Sequence, residues 1–197
     1  VRDAALLLAA IAGVDTRDKA TPESVGKVPA DFLTRLDGNA LKGARIGLLT
    51  DFMGSEVIHA EVNRVVERAV GTMTAKGATV VRVSIPKLDE LTRGLSLMTL
   101  EFKAAFHRYL TSLGPVSPVK SLAEFVARGE FEPGMRRGLE ADLKVIDGPS
   151  SPEHQQMVAR REALRQAVMN VMAANRLDAI LYPHQRRLVV PIGEDQA

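Results

Sequence analysis

The chain has 197 residues, of which 46% are hydrophobic, so it can bury the core of one domain or of a large part of one. Its 26 basic and 24 acidic residues are interspersed and leave a net charge of +2, which does not favour nucleic acid as a partner. The absence of cysteine excludes disulfides and thiolate chemistry and permits a reducing compartment, so we expect a cytoplasmic protein.

The first half of the chain predicts a strand, a helix and a second strand. A helix over residues 3–12 comes first, and its apolar run is far shorter than the ~20 residues that cross a membrane. "ARIGLLTDF" predicts a strand in the middle of a sheet, because it is apolar on both faces. A helix over residues 60–76, ended by Gly77, and the β-branched strand "ATVVRVSIP" complete a βαβ unit with parallel strands.

The second half is predicted to be mostly helical. Helices are expected over residues 89–113, 121–128, 134–146 and 152–175, and "LDAILYP" supplies a third strand. Three strands are few for so many helices, and the first helix begins without room for a capping turn. We therefore expect an α/β fold whose sheet is incomplete in this chain, with further strands upstream of Val1.

The sequence contains no motif for nucleotides, dinucleotides or a zinc protease, so no cofactor is expected. Its four histidines have no metal-ligand spacing, and no metal site is expected. Ser150 and Ser151 lie close to His154, but a serine before Pro-Glu at the start of an apolar-periodic run is typical of a helix N-cap. The cap is the favoured interpretation over a nucleophile.

The opening segment "VRDAALLLAAIAGVDTRD" resembles the stretch that follows the nucleophile in enzymes of the amidase signature family. Further similar segments follow in the same order, namely "LKGARIGLLTDF", "VVERAVGTMTAKGATVVRVSIP", "LEFKAAFHRYL", "FEPGMRRGL", "LDAILYP" and "PIGEDQ". The resemblance therefore spans essentially the whole chain.

The resemblance implies a hydrolase of carboxylic amides, built as a mixed sheet between helices, with residues 1–197 as the C-terminal portion of a single domain. It implies a Ser-Ser-Lys mechanism, in which one Ser attacks the carbonyl and the other relays a proton to a neutral Lys. The family's Gly-Gly-Ser-Ser-Gly-Gly-Ser segment has no counterpart here, so we expect the catalytic residues upstream of Val1. No catalytic residue is assigned within the chain.

Five pocket residues are suggested in part by this resemblance. Asp51 and Phe52 follow a parallel strand at its carboxyl end, where open α/β sheets bind ligands. Glu101 matches an acidic position on a helix that borders the cleft in family members. Arg136 and Arg137 match a basic pair that, in related amidotransferase subunits, supplies an Arg for the substrate carboxylate. Each position has an alternative. Asp51 would be an ordinary loop residue and Phe52 a core residue. Glu101 would be a solvated side chain paired with a neighbouring base, and the two arginines would belong to a solvated helix face.

His184 belongs to the clearest departure from the family pattern. "YPHQRRL" has bulky and basic residues where the family usually has small and hydroxylated ones. We expect this loop to narrow the pocket or to favour an acidic group on the substrate, and we expect the His184 imidazole to face the substrate channel.

Three functions remain open from the sequence. The first is an amidase that acts on a small-molecule amide, with the upstream part of the same protein as its necessary complement. The second is the glutaminase-type subunit of an amidotransferase, and the third is a non-catalytic α/β binding module. A homodimer is also left open.

Overall fold

The computed structural model describes residues 1–18, 20–29 and 31–193, which form two compact units. The first unit combines Val1–Val83 with the chain from Asn175 onward, and the second unit is Ser84–Ala174. Residues 194–196, the end of the "PIGEDQ" segment that carries part of the resemblance, lie outside the described residues. The assignment of residues 1–197 to a single domain stays a prediction.

The first unit is built on a small parallel sheet. Its elements are α1 (Arg2–Ile11), β1 (Arg45–Leu49), α2 (Ala60–Ala75), β2 (Thr79–Val83) and β3 (Ala179–Leu181). The strand order is β2-β1-β3, and both pairings are parallel, with Ile46 opposite Val80 on one side and Ala179 on the other. The predicted α/β class, the central position of β1 and the parallel βαβ pair are confirmed.

The centre of this sheet explains the composition of β1. Leu48 and Leu49 are buried, as expected for a strand covered on both faces. Gly47 leaves room for close packing, because a Cβ there would lie 2.5 Å from a methyl carbon of Leu177, which would have to shift. Asp178 fixes the start of β3, since its carboxylate accepts from the Arg45 N–H at 2.7 Å and its own N–H donates to the Arg45 carbonyl at 2.8 Å.

The second unit is helical. Its helices are α3 (Leu88–Thr92), α4 (Met98–Leu113), α5 (Leu122–Arg128), α6 (Arg136–Leu143) and α7 (Pro152–Asn175), the last residue of which belongs to the first unit. The prediction of one helix over residues 89–113 is wrong, because the chain breaks between α3 and α4. Gly94 adopts a left-handed φ of 63° in this break, which is incompatible with a continuous right-handed helix.

A chain of aromatic rings fills the core of the second unit. The rings of Phe102, Phe106, Phe125 and Phe131 follow one another with centroid separations of 5.5, 5.5 and 5.4 Å. They pack against the buried residues Leu122, Val126 and Leu139. This core joins α4, α5 and α6, and thereby fixes the helices that carry three of the predicted site residues.

Candidate functional site

The carboxyl edge of the parallel sheet carries two of the predicted pocket residues. β1 ends at Leu49 and continues into a 3-10 turn, Thr50–Phe52, which contains both Asp51 and Phe52. β3 ends at Leu181, and because β1 and β3 are parallel, Tyr182 leaves the sheet at the same edge. The predicted position of Asp51 and Phe52 at this edge is therefore confirmed, whereas their contact with substrate stays a prediction.

Three side chains form what we call the edge cluster: Phe52, Tyr182 and Arg186. The Phe52 and Tyr182 rings have centroids 5.4 Å apart. The Arg186 guanidinium carbon lies 5.9 Å from the Phe52 centroid, and its Nη2 donates to the Asp51 carbonyl at 3.2 Å. The basic loop "YPHQRRL" thus places a cation on an aromatic face at the carboxyl edge of the sheet.

His184 lies between Tyr182 and Arg186 in the same loop. Its side chain is exposed, whereas the preceding Pro183 is buried and anchors the chain where it leaves β3. An exposed imidazole beside the edge cluster is accessible to a ligand. Its orientation toward a substrate channel stays a prediction.

Glu101 is paired within the second unit. Its Oε1 lies 2.7 Å from Nε2 of His154, whose side chain is only 15% exposed. The backbone N–H of His154 donates to the Ser151 hydroxyl oxygen at 3.1 Å, so Ser151 caps the start of α7 and the N-cap interpretation is confirmed. Sequence reasoning missed His154 as the partner of Glu101, because the two residues are 53 positions apart.

The two arginines at the start of α6, Arg136 and Arg137, make different contacts. The Arg136 guanidinium carbon lies 5.2 Å from the Phe131 centroid, and Nη1 is 3.6 Å from the Glu140 carboxylate. Arg137 is exposed and, within the described ranges, forms neither a hydrogen bond nor an ion pair through its side chain. Of the two, Arg137 has its guanidinium donors available for a ligand.

Sequence reasoning also missed Lys103, because a single lysine on a helix carries no pattern of its own. Its ammonium donates to the carbonyls of Leu143 at 2.8 Å and Val145 at 2.9 Å, and so caps the carboxyl end of α6. Near the same helix end, burial raises the pKa of the Asp142 carboxyl above its usual value. The Lys103 ammonium therefore interacts favourably with the negative end of the α6 helix dipole. The partly desolvated carboxyl of Asp142 lies near the same helix end.

Residues 1–18, 20–29 and 31–193 contain no group of three acidic or histidine side chains arranged to hold a metal ion. Among the same residues, no helix is both long enough and apolar enough to cross a bilayer.

An open parallel sheet with aromatic and charged side chains at its carboxyl edge is typical of α/β proteins that bind small ligands. The Amidase family model matches residues 1–197, and the chain belongs to this family. The amidase signature resemblance of the sequence is thereby confirmed.

Two kinds of relative are similar in sequence. The indoleacetamide hydrolase of Rhizobium radiobacter is 32% identical over 183 residues, which are 90% of this chain and 35% of that protein. A glutamyl-tRNA(Gln) amidotransferase chain of Pediococcus pentosaceus is 41% identical over 87 residues, or 44% of this chain and 17% of that protein. The chain thus spans about a third of the length of the hydrolase that it matches.

Solved structures agree with the fold. The peptide amidase of Stenotrophomonas maltophilia is 28% identical, with a TM-score of 0.70 over 92% of this chain and 39% of that one. An amidase family protein of Bacillus anthracis has a TM-score of 0.71 at 23% identity, over 93% of this chain and 37% of that one, and supports the fold alone.

Proposed function

We propose that the protein containing this chain hydrolyses carboxylic amides. The observation that carries the proposal is the family match over residues 1–197, supported by relatives named as an indoleacetamide hydrolase and a peptide amidase. In the proposed Ser-Ser-Lys mechanism, a Ser hydroxyl attacks the amide carbonyl while a second Ser passes its proton to a neutral Lys. Backbone N–H groups of a Gly-rich loop stabilise the oxyanion.

The catalytic residues are proposed to lie upstream of residues 1–197. The chain lacks a Gly-Gly-Ser-Ser-Gly-Gly-Ser segment, and Ser151 is engaged as a helix cap. We therefore assign this chain the role of forming part of the substrate pocket rather than that of attacking the substrate.

We further propose that the edge cluster recognises the acyl group. Phe52 and Tyr182 offer aromatic faces to an apolar or aromatic acyl group, and Arg186 adds a fixed positive charge beside them. The bond to the Asp51 carbonyl uses one N–H of Arg186, and a guanidinium has five such donors. A substrate with an acidic group on its acyl part is therefore favoured over a neutral one.

The test is ammonia release by the intact protein from phenylacetamide and from 4-(carboxymethyl)phenylacetamide. We expect both to be hydrolysed, with a higher kcat/KM for the acid. Arg186→Met is expected to lower that preference by about fivefold to tenfold, the size of a partly exposed charge-assisted bond. Arg68→Met, which removes an exposed arginine from α2, is the control.

The two parts of the proposal fail separately. The absence of ammonia release from both substrates and from a wider amide panel would contradict amide hydrolysis. Hydrolysis with no preference for the acid, or a preference that Arg186→Met leaves intact, would contradict only the role of the edge cluster.

The second candidate is the glutaminase-type subunit of an amidotransferase. It is favoured by the 41% identity to an amidotransferase chain and by the available guanidinium of Arg137, which suits the α-carboxylate of glutamine. This function requires partner chains. Glutamine hydrolysis that appears only with such partners would favour it over the independent amidase.

A further inference from the structure

A cavity of about 560 Å³ lies between α4 and the loop that joins α6 to α7. Its volume falls in the range of about 300–1,000 Å³ that is common for small-molecule sites. We call this cavity the α4 pocket. Much of its lining is apolar, supplied by Leu100, Ala104, Val145, Ile146 and Pro149. A ligand with an apolar body suits this lining.

The wall opposite α4 is held in place by its own contacts. Gly148 is buried so closely against α4 that a Cβ there would overlap the Leu100 carbonyl oxygen. The turn is closed by the Ser150 N–H, which donates to the Asp147 carbonyl at 2.8 Å, and by the Ser151 hydroxyl, which donates to the Gly148 carbonyl at 2.8 Å. These contacts fix the position of the loop that forms this wall.

Two basic side chains line the pocket from α4. Lys103 and His107 are four residues apart and so lie on the same helix face. The carbonyls of Leu143 and Val145 accept two of the three N–H bonds of the Lys103 ammonium, which leaves one donor. Among the described residues, neither Lys103 nor His107 has a carboxylate within ion-pair distance.

The remaining polar groups limit the charge of the ligand. Asp147 is an exposed side chain of the pocket lining, and its carboxylate repels an anion, so a dicarboxylate is disfavoured more strongly than a monocarboxylate. Ser150, also exposed, can donate a hydrogen bond from its hydroxyl. Among the described residues that line the pocket, Lys103 alone carries a fixed positive charge, so a single carboxylate is favoured over two.

We propose that the α4 pocket binds a small monocarboxylate with an apolar body. Its carboxylate accepts hydrogen bonds from Lys103 and His107, and its body lies against Leu100, Val145 and Pro149. The proposal concerns binding alone and does not depend on amide hydrolysis.

The test is titration calorimetry of the intact protein with three probes that share a phenyl ring. These are phenylacetate, its neutral counterpart 2-phenylethanol and the dicarboxylate phenylmalonate. We expect phenylacetate to bind at least about tenfold more tightly than either of the others. Equal affinities for phenylacetate and 2-phenylethanol would overturn the assignment of the carboxylate.

Variants then place the binding in the α4 pocket. Ala104→Leu fills the cavity without changing any charge, and His107→Gln removes one basic group; each is expected to weaken phenylacetate binding by about tenfold or more. Arg108→Gln, which removes the neighbouring positive charge outside the pocket, is the control and should leave binding unchanged. Phenylacetate binding that survives Ala104→Leu in a folded protein would overturn the proposal.

Discussion

Arg136 and Arg137 are neighbours in sequence, yet their side chains have different surroundings. Arg136 is engaged by the Phe131 ring and the Glu140 carboxylate, whereas Arg137 is exposed. A guanidinium that is already held by a ring and a carboxylate offers fewer donors to a ligand. At the scale of single residues, the structure therefore separates a pair that the sequence could not.

The first prediction concerns this pair. If the intact protein hydrolyses amides as proposed, Arg137→Gln is expected to raise KM about tenfold for a substrate with a carboxylate and to leave KM for a neutral substrate nearly unchanged. Arg136→Gln is the matched control, with a smaller effect on KM and a slightly lower unfolding midpoint. Steady-state kinetics with both substrates measures these KM values. Equal changes in KM for the two substrate types would contradict a role of Arg137 in binding the carboxylate.

The second prediction concerns His184. Its replacement by Ala shortens an exposed side chain beside the edge cluster, so hydrolysis is expected to shift toward bulkier acyl groups. Labelling by a small acylating inhibitor should persist, because the nucleophile is not altered. Gln185→Ala, one residue further along the loop, is the comparison. A folded variant that loses labelling altogether would place His184 in the catalytic machinery instead.

At the scale of elements, the sequence predicts those helices and strands whose formation depends on the residues within them. The apolar run of β1 and the helical period of α2 are recognisable in the sequence, because burial and helical spacing are visible there. The break at Gly94 is not, since a single Gly inside an apolar-periodic stretch does not by itself end a helix. The Glu101–His154 pair depends on how α4 packs near α7, which no local pattern records.

The third prediction uses two glycines of the second unit. Gly148→Ala is expected to destabilise the intact protein by about 2 kcal/mol or more, because the new Cβ overlaps the Leu100 carbonyl oxygen. Gly138→Ala, in α6, meets nothing within 4 Å and is expected to stabilise by up to about 1 kcal/mol. Denaturant unfolding measures both, and destabilisation of similar size in the two variants would contradict the close packing at Gly148.

At the scale of the whole molecule, the chain exposes apolar surface. No residue of α1 is buried, and Leu7 and Ile11 on this helix are 63% and 71% exposed. β2 and β3 form the two edges of the described sheet, and strand edges present unpaired backbone groups. The match to the indoleacetamide hydrolase of Rhizobium radiobacter covers only 35% of that protein.

The fourth prediction follows from this exposure. Residues 1–197 expressed alone are expected to fold poorly and to have no amidase activity, because apolar surface stays open to solvent and the sequence lacks the Gly-Ser-rich nucleophile segment. Thermal melting, size-exclusion chromatography and ammonia release check the two parts. A monomer that melts cooperatively and turns over an amide would contradict this expectation.

The most direct measurement of the central claim is to locate the nucleophile in the intact protein. A fluorophosphonate that reacts with activated serines is added to the purified protein, and the modified peptide is identified by mass spectrometry. We predict one modified Ser, outside residues 1–197 and in a Gly-Ser-rich segment, with amide hydrolysis lost in proportion to the labelling. Modification of Ser150 or Ser151 that abolishes activity would contradict the account.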